Sequence, residues 1–338
     1  LEYSLSRELI RTNRAGSYTS STIINCNTRK YHGMLVCPIR EFDGANHVLL
    51  SSVDEIIEQH DTEFRLGIHK YPGEFSPRGH KYIREYEADP VPRITYRVGG
   101  VVLIKEMLLA EEDERVIIKY TLQEAHSPTK IKIMPFLAFR NVHDLTRANL
   151  EADTRCKEIR NGIKAKLYTG FPNLCMQVSK KNEFIAAPDW YYNIEYIEEK
   201  KRGYDFQEDL FVPGYFELPM KKGDSIVFTA GTKEIAPNTL KQKFTSEIKK
   251  RIPRNNFENC LKNSALQFTA KRGKKAHIIA GFPWFGSWSR DTFISLPGLC
   301  LSLEDVKTCK MVLDTMSPML KHGLFPNVIK EKPDYDSV

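Results

Sequence analysis

Two of the chain's three tryptophans, Trp284 and Trp288, fall within five positions of each other, and Arg290 and Asp291 follow directly. Gly281, Pro283 and Gly286 punctuate the run from Ala280 to Thr292, which predicts a shaped loop running into a helix. This residue set suits a sugar. A pyranose ring offers apolar C–H faces that stack on flat aromatic side chains. Its hydroxyls need both donors and acceptors, and a guanidinium beside a carboxylate supplies them. The same residues would equally suit a buried Arg–Asp ion pair that begins a helix beneath tryptophan packing. Residue chemistry alone leaves both readings open.

Other chemistry is harder to place. The seven cysteines, at 26, 37, 156, 175, 260, 300 and 309, are odd in number and irregular in spacing, with no C-x-x-C pair. A zinc site or a disulfide framework needs paired spacing, so reduced thiols in a cytoplasmic protein are expected. The nine histidines form no H-E-x-x-H pair. The net charge is +7 and the pI about 8.9. The basic residues concentrate in Lys249-Lys250-Arg251 and in Lys271-Arg272 with Lys274-Lys275. Neither cluster is interleaved with aromatics or carried on a known module, so each reads as a solvated face or linker, and no nucleic-acid partner is expected.

The elements that must position the loop change character along the chain. A length of 338 residues suggests about two domains. Short β-branched or alternating runs recur up to residue 231: 20–25, 33–37, 47–57, 81–86, 93–104, 115–122, 130–139, 174–178 and 224–231. Asp43-Gly44, Gly99-Gly100, Asn161-Gly162 and Lys222-Gly223-Asp224 punctuate them, which predicts a large antiparallel sandwich. Residues 183–215, rich in aromatics and acids, read as a long loop region. From about 235 the pattern is helical. Pro237-Asn238-Thr239 can cap a helix over 240–250, and the spacing predicts further helices over 255–270, 292–302 and 304–321. In the last of these Leu313, Met316 and Leu320 would face inward, with Gly323 as a stop. A basic linker and a strand-like 277–280 lie between. The expected domains are therefore 1–235 and 236–338. The most apolar runs, such as 101–104 and 294–303, are far shorter than the ~18 residues a membrane helix needs. No basic segment followed by an apolar one opens the chain, so no secretory signal is visible.

Residues 281–298, Gly-Phe-Pro-Trp-Phe-Gly-Ser-Trp-Ser-Arg-Asp-Thr-Phe-Ile-Ser-Leu-Pro-Gly, closely resemble a family pattern, G-[YF]-P-W-F-x-x-W-G-R-D-T-x-I-x-L-P-G. It belongs to the bacterial and archaeal-type glycogen debranching enzymes, the amylo-α-1,6-glucosidase family. Two further stretches are similar to that family. One is Asn13 to Tyr18 with Asn27 to Val36, which resembles its opening signature. The other is His322-Gly323-Leu324-Phe325-Pro326-Asn327, near its G-L-I-P-N. Ser289 departs from the usual Gly, which matters only if that position needs a positive φ.

The resemblance implies a mixed fold, β then α: an N-terminal antiparallel β-supersandwich followed by the first helices of an (α/α)6 toroid. It implies a glycoside hydrolase acting on glycogen, limit dextrin or branched maltooligosaccharide, and removing α-1,6-linked glucose stubs. Such enzymes invert configuration with two carboxylates roughly 6.5–9.5 Å apart, and no cofactor or metal is needed. Arg290 and Asp291 would hold the non-reducing glucose, and Trp284, Phe285 and Trp288 would wall its subsite. Arg29, Tyr31 and His32 would either help shape the glucan site or pin strand register and the domain interface. Their distance in sequence from any acid–base pair favours the second role.

Twelve toroid helices need about 200–300 residues, far more than follow residue 240. The family's general acid would fall just after Val338, so the chain alone is expected to be an inactive fragment with apolar helix faces left unpartnered. Asp334 and Asp336 are the other nearby carboxylates, and Asp336 reads as a turn residue. Two alternatives stand beside debranching: a glucoamylase-like exo-α-glucosidase on linear α-1,4 glucans, and a glucan-binding module without hydrolysis.

Overall fold

The computed structural model describes residues 1–42 and 44–329. The Asp43 half of one expected turn, Asp334, Asp336 and the stretch ending at Val338 therefore lie outside the described residues.

Two eight-stranded antiparallel sheets pack face to face. The first runs, edge to edge, through Glu8–Thr12, Tyr18–Thr22, Gly33–Pro38, Asn46–Gln59, Thr129–Asn141, Gln207–Met220 and Glu183–Glu195, with Thr62–Arg65 paired to Asn46–Gln59. The second runs through Lys157–Ile159, Gly162–Ala165, Leu174–Val178, Ser225–Gly231, Arg115–Glu124, Val101–Leu109, Arg93–Val98 and Ile83–Glu87. Period-two patterning explains the burial. In Arg115–Glu124, Val116, Ile118, Tyr120 and Leu122 face the other sheet, while Ile117 faces outward. The 93–104 run folds back on itself because Gly99 and Gly100 take φ of 55° and 80°, and Val98 then pairs with Val101.

The aromatic 183–215 stretch is not a loop. It forms the edge strand Glu183–Glu195, a short helix α2 (Ile197–Lys201) and most of the long strand Gln207–Met220; a first single turn, α1 (Glu2–Leu5), opens the chain. Two register shifts interrupt the edge strand's alternation, and its outer residues are exposed. Pro188 is tolerated there because an edge strand has no partner on one side.

Helix α3 (Leu240–Lys249) covers the outer face of the second sheet, burying Leu240 and Phe244 against Leu108, Ile117 and Val227. It has no side-chain N-cap; the Thr239 hydroxyl donates to the Ala236 carbonyl instead. Helix α4 (Phe257–Gln267) is capped by Asn256, whose side chain accepts the Asn259 amide at 2.8 Å. The basic linker is in fact a hairpin, Thr269–Arg272 with Lys275–Ile278, turning at Gly273 with φ 59°.

Helix α5 (Ser289–Leu296) passes into a wider turn, Pro297–Leu301, because Pro297 has no N–H for the α ladder. It is not buried all round: Thr292, Leu296 and Cys300 face inward, while Ile294 and Leu301 are exposed. Helix α6 (Val306–Met316) buries Cys309, Val312 and Met316, but Leu313 and Leu320 point to solvent, against expectation. These elements share a small core of Ala276, Ile278, Leu296, Cys300, Cys309, Val312 and Met316. All seven cysteines are free thiols. Among the described residues no helix is long and apolar enough to cross a membrane.

Candidate functional site

The glycine-and-proline run folds into a tight loop. The Phe285 amide donates to the Gly281 carbonyl and the Ala280 amide to the Gly286 carbonyl, both at 2.8 Å. Ser287 and Trp288 then pair with Ile329 and Val328. The Ser289 amide donates to the Asn327 carbonyl at 3.0 Å and its hydroxyl to the Pro326 carbonyl. Ser289 is therefore helical rather than in the left-handed region, and it has found a hydrogen bond that a glycine there could not make.

The loop presents aromatic side chains outward. Trp284 is 41% exposed and Phe285 50%. Phe285 meets the half-buried Trp288 edge to face at 5.9 Å. Arg290 and Asp291 form an ion pair at 3.4 Å with side chains 68% and 38% exposed. The buried-ion-pair reading therefore fails: both groups stand in solvent, able to exchange water for hydroxyls. Asp291 lies in the first turn of α5, where the helix dipole favours a carboxylate.

Segments distant in sequence meet this loop. Phe282 docks on the outer face of the first sheet, edge to face with Tyr18 at 5.7 Å. Tyr18 is fully buried and donates its hydroxyl to the Tyr31 carbonyl at 2.8 Å. The Tyr31 ring meets Trp284 at 6.3 Å, and the Arg29 guanidinium lies 6.0 Å from the Trp284 ring. The Asn13–Tyr18 turn, the Asn27–Val36 stretch, the tryptophan loop and the 322–327 stretch thus converge on one surface.

Local chemistry explains why the 27–32 segment holds its shape. His32 Nδ1 accepts the Thr28 amide at 3.1 Å, so the ring proton sits on Nε2, 3.8 Å from Glu8. Burial pushes the His32 imidazole down, against the pull of Glu8, so it is neutral near pH 7. Burial alone would raise the Glu8 carboxyl; contacts from His32 and from Arg29, at 2.8 Å, outweigh it and hold the group at about 2. Gly33 follows because a Cβ there would come within 2.8 Å of Val36 and 2.9 Å of Val48. His32 is therefore a buried strut, whereas Arg29 and Tyr31 reach the tryptophan loop.

Sequence reasoning missed the supports. Between Leu137 and Arg140 the Thr129–Asn141 strand bulges, with Phe139 at φ 50°, an uncommon state for a bulky residue. The bulge aims Arg140 at Glu208 and at the Lys30 carbonyl, 2.7 Å away. His143 follows and meets the Tyr31 hydroxyl at 3.2 Å through Nδ1. Nothing in the spacing of Glu8, Arg140 or His143 marks them.

No group of three or more metal-ligating side chains occurs among the described residues. Among the described residues, one cavity of about 20 Å³ lies beside Lys105 and another beside Asp54 and His69 on the outer face of the first sheet, both away from the tryptophan loop. Each has room for about one water, too little for a sugar ring.

Comparison with solved structures finds a bacterial glucoamylase in complex with acarbose, at 10% identity and a TM-score of 0.49, covering 96% of this chain and 50% of that one. A polysaccharide lyase matches at 13% identity and a TM-score of 0.28, covering 70% of this chain and 34% of that one. An Escherichia coli K12 protein assigned as an aldose 1-epimerase matches at 9% identity and a TM-score of 0.33, covering 68% of this chain and all of that one. None is similar enough to establish a shared fold, and the chain spans half the length of the glucoamylase. A search of curated proteins finds no match. Two family models do match: the glycogen debranching enzyme N-terminal family over residues 7–227 and the amylo-alpha-1,6-glucosidase family over residues 263–338. The first alone covers well over half of the chain, and it includes the segments that brace the tryptophan loop; the chain belongs to the glycogen debranching enzyme family.

Proposed function

We propose that this protein belongs to a glycoside hydrolase that removes α-1,6-linked glucose stubs from glycogen or limit dextrin. One observation carries the reading: the exposed Arg290–Asp291 pair stands directly after an exposed aromatic loop. In the reading, Trp284, Phe285 and Trp288 wall the first subsite, while Arg290 and Asp291 bind the hydroxyls of the terminal glucose. Neither is assigned a proton transfer. Hydrolysis with inversion needs an acid and a base on opposite sides of the bond, with water between. Asp291, already bonded to Arg290, fits binding better than either task. Helices α4 to α6 would be the first of an (α/α)6 toroid, with the domain division near residue 235.

The test is glucose release by the natural full-length gene product. One substrate is a limit dextrin bearing single α-1,6 glucose stubs, the other a linear maltooligosaccharide. Release from the dextrin alone supports debranching. Equal or greater release from the linear chain would move the protein to the glucoamylase-like class. No release from either would leave a glucan-binding module.

A further inference from the structure

We infer that the β-sandwich supplies part of the glucan-binding surface: Arg29, His143 and Tyr204, with the buried Tyr31 supporting Trp284 and His143, continue the aromatic face of Trp284 and hold the glucose units beyond the terminal one. The inference rests on the glucan reading above and extends its site onto the other half of the molecule.

The contacts come first. Arg29 and Tyr31 both reach the Trp284 ring. Tyr31 also meets the His143 ring edge to face at 5.5 Å. On the other side, helix α2 is tied to the same segment by the Glu198 amide, which donates to the Thr28 carbonyl at 2.9 Å. The turn after α2 returns through the Tyr204 amide to the Glu199 carbonyl at 3.2 Å, and Arg202 covers the Tyr204 ring at 5.3 Å. Glu199, Arg202 and Tyr204 lie near enough to act electrostatically on the Tyr31 hydroxyl. Contacts thus run from the loop through Tyr31 and the 28–31 segment to α2.

Chemistry then selects the occupant. An interface with the helical segment alone would bury these side chains. Instead Trp284 stays 41% exposed and Tyr204 60% exposed, His143 is exposed and Arg29 half-buried, and only Tyr31 is buried beneath them. Arg29 engages Glu8 through Nε, which leaves the other guanidinium donors turned to neither strand nor helix by any hydrogen bond among the described residues. Partial desolvation of the ring, with the nearby Lys30 charge, pushes the His143 imidazole down and favours its neutral form. With Nδ1 engaged by the Tyr31 hydroxyl, Nε2 is the ring nitrogen left to meet a ligand. Aromatic faces flanked by polar and cationic groups, with Glu8 committed to Arg29 and His32 and Glu199 to Arg202, match a run of neutral polyhydroxylated rings. Glu8 acts here as a positioning residue, since it touches Arg29 rather than the ligand.

The test is calorimetric titration of the full chain with glucose, maltotriose and maltohexaose, repeated with Tyr204→Ala and Arg29→Gln. Tyr204 is exposed, so its replacement leaves folding intact. Affinity is expected to rise with chain length in the unaltered protein. Each variant should lose about 3–10-fold for maltohexaose, the range expected for one aromatic or charge-assisted contact, and leave glucose binding within about twofold. Unchanged maltohexaose affinity in both variants would overturn the inference while the glucan reading stands. Failure of the unaltered chain to bind any of the three sugars would overturn both.

Discussion

The sandwich and the helical segment after it differ in what they do with similar apolar side chains. In the sandwich, strands from both sheets close a continuous core in which Leu103, Ile118, Leu137, Phe216 and Phe228 are fully or almost fully buried. The segment from residue 257 onward buries only a small cluster around Leu296, Val312 and Met316. Ten of the fifteen large apolar side chains that stand exposed among the described residues lie between Phe257 and Leu324. Apart from Phe282 on Tyr18 and Trp284 against Tyr31, charge and hydrogen bonding hold this segment against the sandwich. The Thr12 hydroxyl donates to the Gln267 carbonyl at 2.8 Å, the Lys271 amide to the Arg14 carbonyl, and the Arg272 side chain to the Ala15 carbonyl at 3.3 Å. Arg14 is in turn paired with Glu111 at 3.2 Å. The site is thus assembled across a polar seam, and its geometry depends on the sandwich as much as on its own helices.

The largest effect expected from this contrast is on the core. Phe216→Ala should destabilise the protein by about 3–5 kcal/mol, measured by chemical denaturation, because it opens a cavity between Phe184 and Phe228. Leu313→Ala, a similar loss of apolar carbon on exposed α6, should fall within about 0.5 kcal/mol. Equal costs would erase the distinction between the two regions.

A pH effect of the next size belongs to the helical segment. Burial, reinforced by Arg272 and Lys275, pushes His277 down to about 4. The unfolded chain takes up this proton below about pH 6.5 while the folded chain resists it, so stability falls as pH drops from 6.5 to 4. The loss is on the order of 3 kcal/mol once complete. Thermal unfolding followed over that range should lose part of its slope in His277→Gln, since His32 and His143 are also lowered; a slope retained in full would assign the effect elsewhere.

Tyr18→Phe sharpens the seam itself. It leaves the buried Tyr31 carbonyl without its donor and should cost about 1–2 kcal/mol. The Trp284 emission spectrum should shift as the 28–32 segment loosens, and an unchanged spectrum would mean the segment is held without Tyr18. The smallest effect expected is that of Ser289→Ala, about 1 kcal/mol or less, from loss of the bond to the Pro326 carbonyl. A larger fall in melting temperature than for Tyr18→Phe would show that the 322–327 stretch matters more to the fold than the sandwich contact does.

Much of this was legible beforehand, for local reasons. Arg115–Glu124 and Thr129–Asn141 alternate strongly enough that period two alone predicts strands. The edge strand Glu183–Glu195 escaped because two irregularities and Pro188 break its alternation, although Phe184, Trp190 and Ile194 pack on the cores. The Lys271–Lys275 hairpin escaped because charged residues mimic a linker, although Gly273 marks its turn. Leu313 and Leu320 were misplaced because a helical period names a stripe without saying what lies opposite it.

By itself, then, the sequence determined the strand-rich and helical halves, the glycine- and proline-shaped tryptophan loop, and the motifs that mark the family. Those depend on backbone preference and on spacing within a few residues. Tertiary structure alone decided that Tyr18, Tyr31 and the 322–327 stretch meet at that loop, that Arg290 and Asp291 face water, and that His32 is a strut while Arg29 reaches Trp284. These follow from which surfaces are brought together by sheet pairing and core packing, and no local pattern of residues encodes the partner a side chain finds a hundred or more positions away.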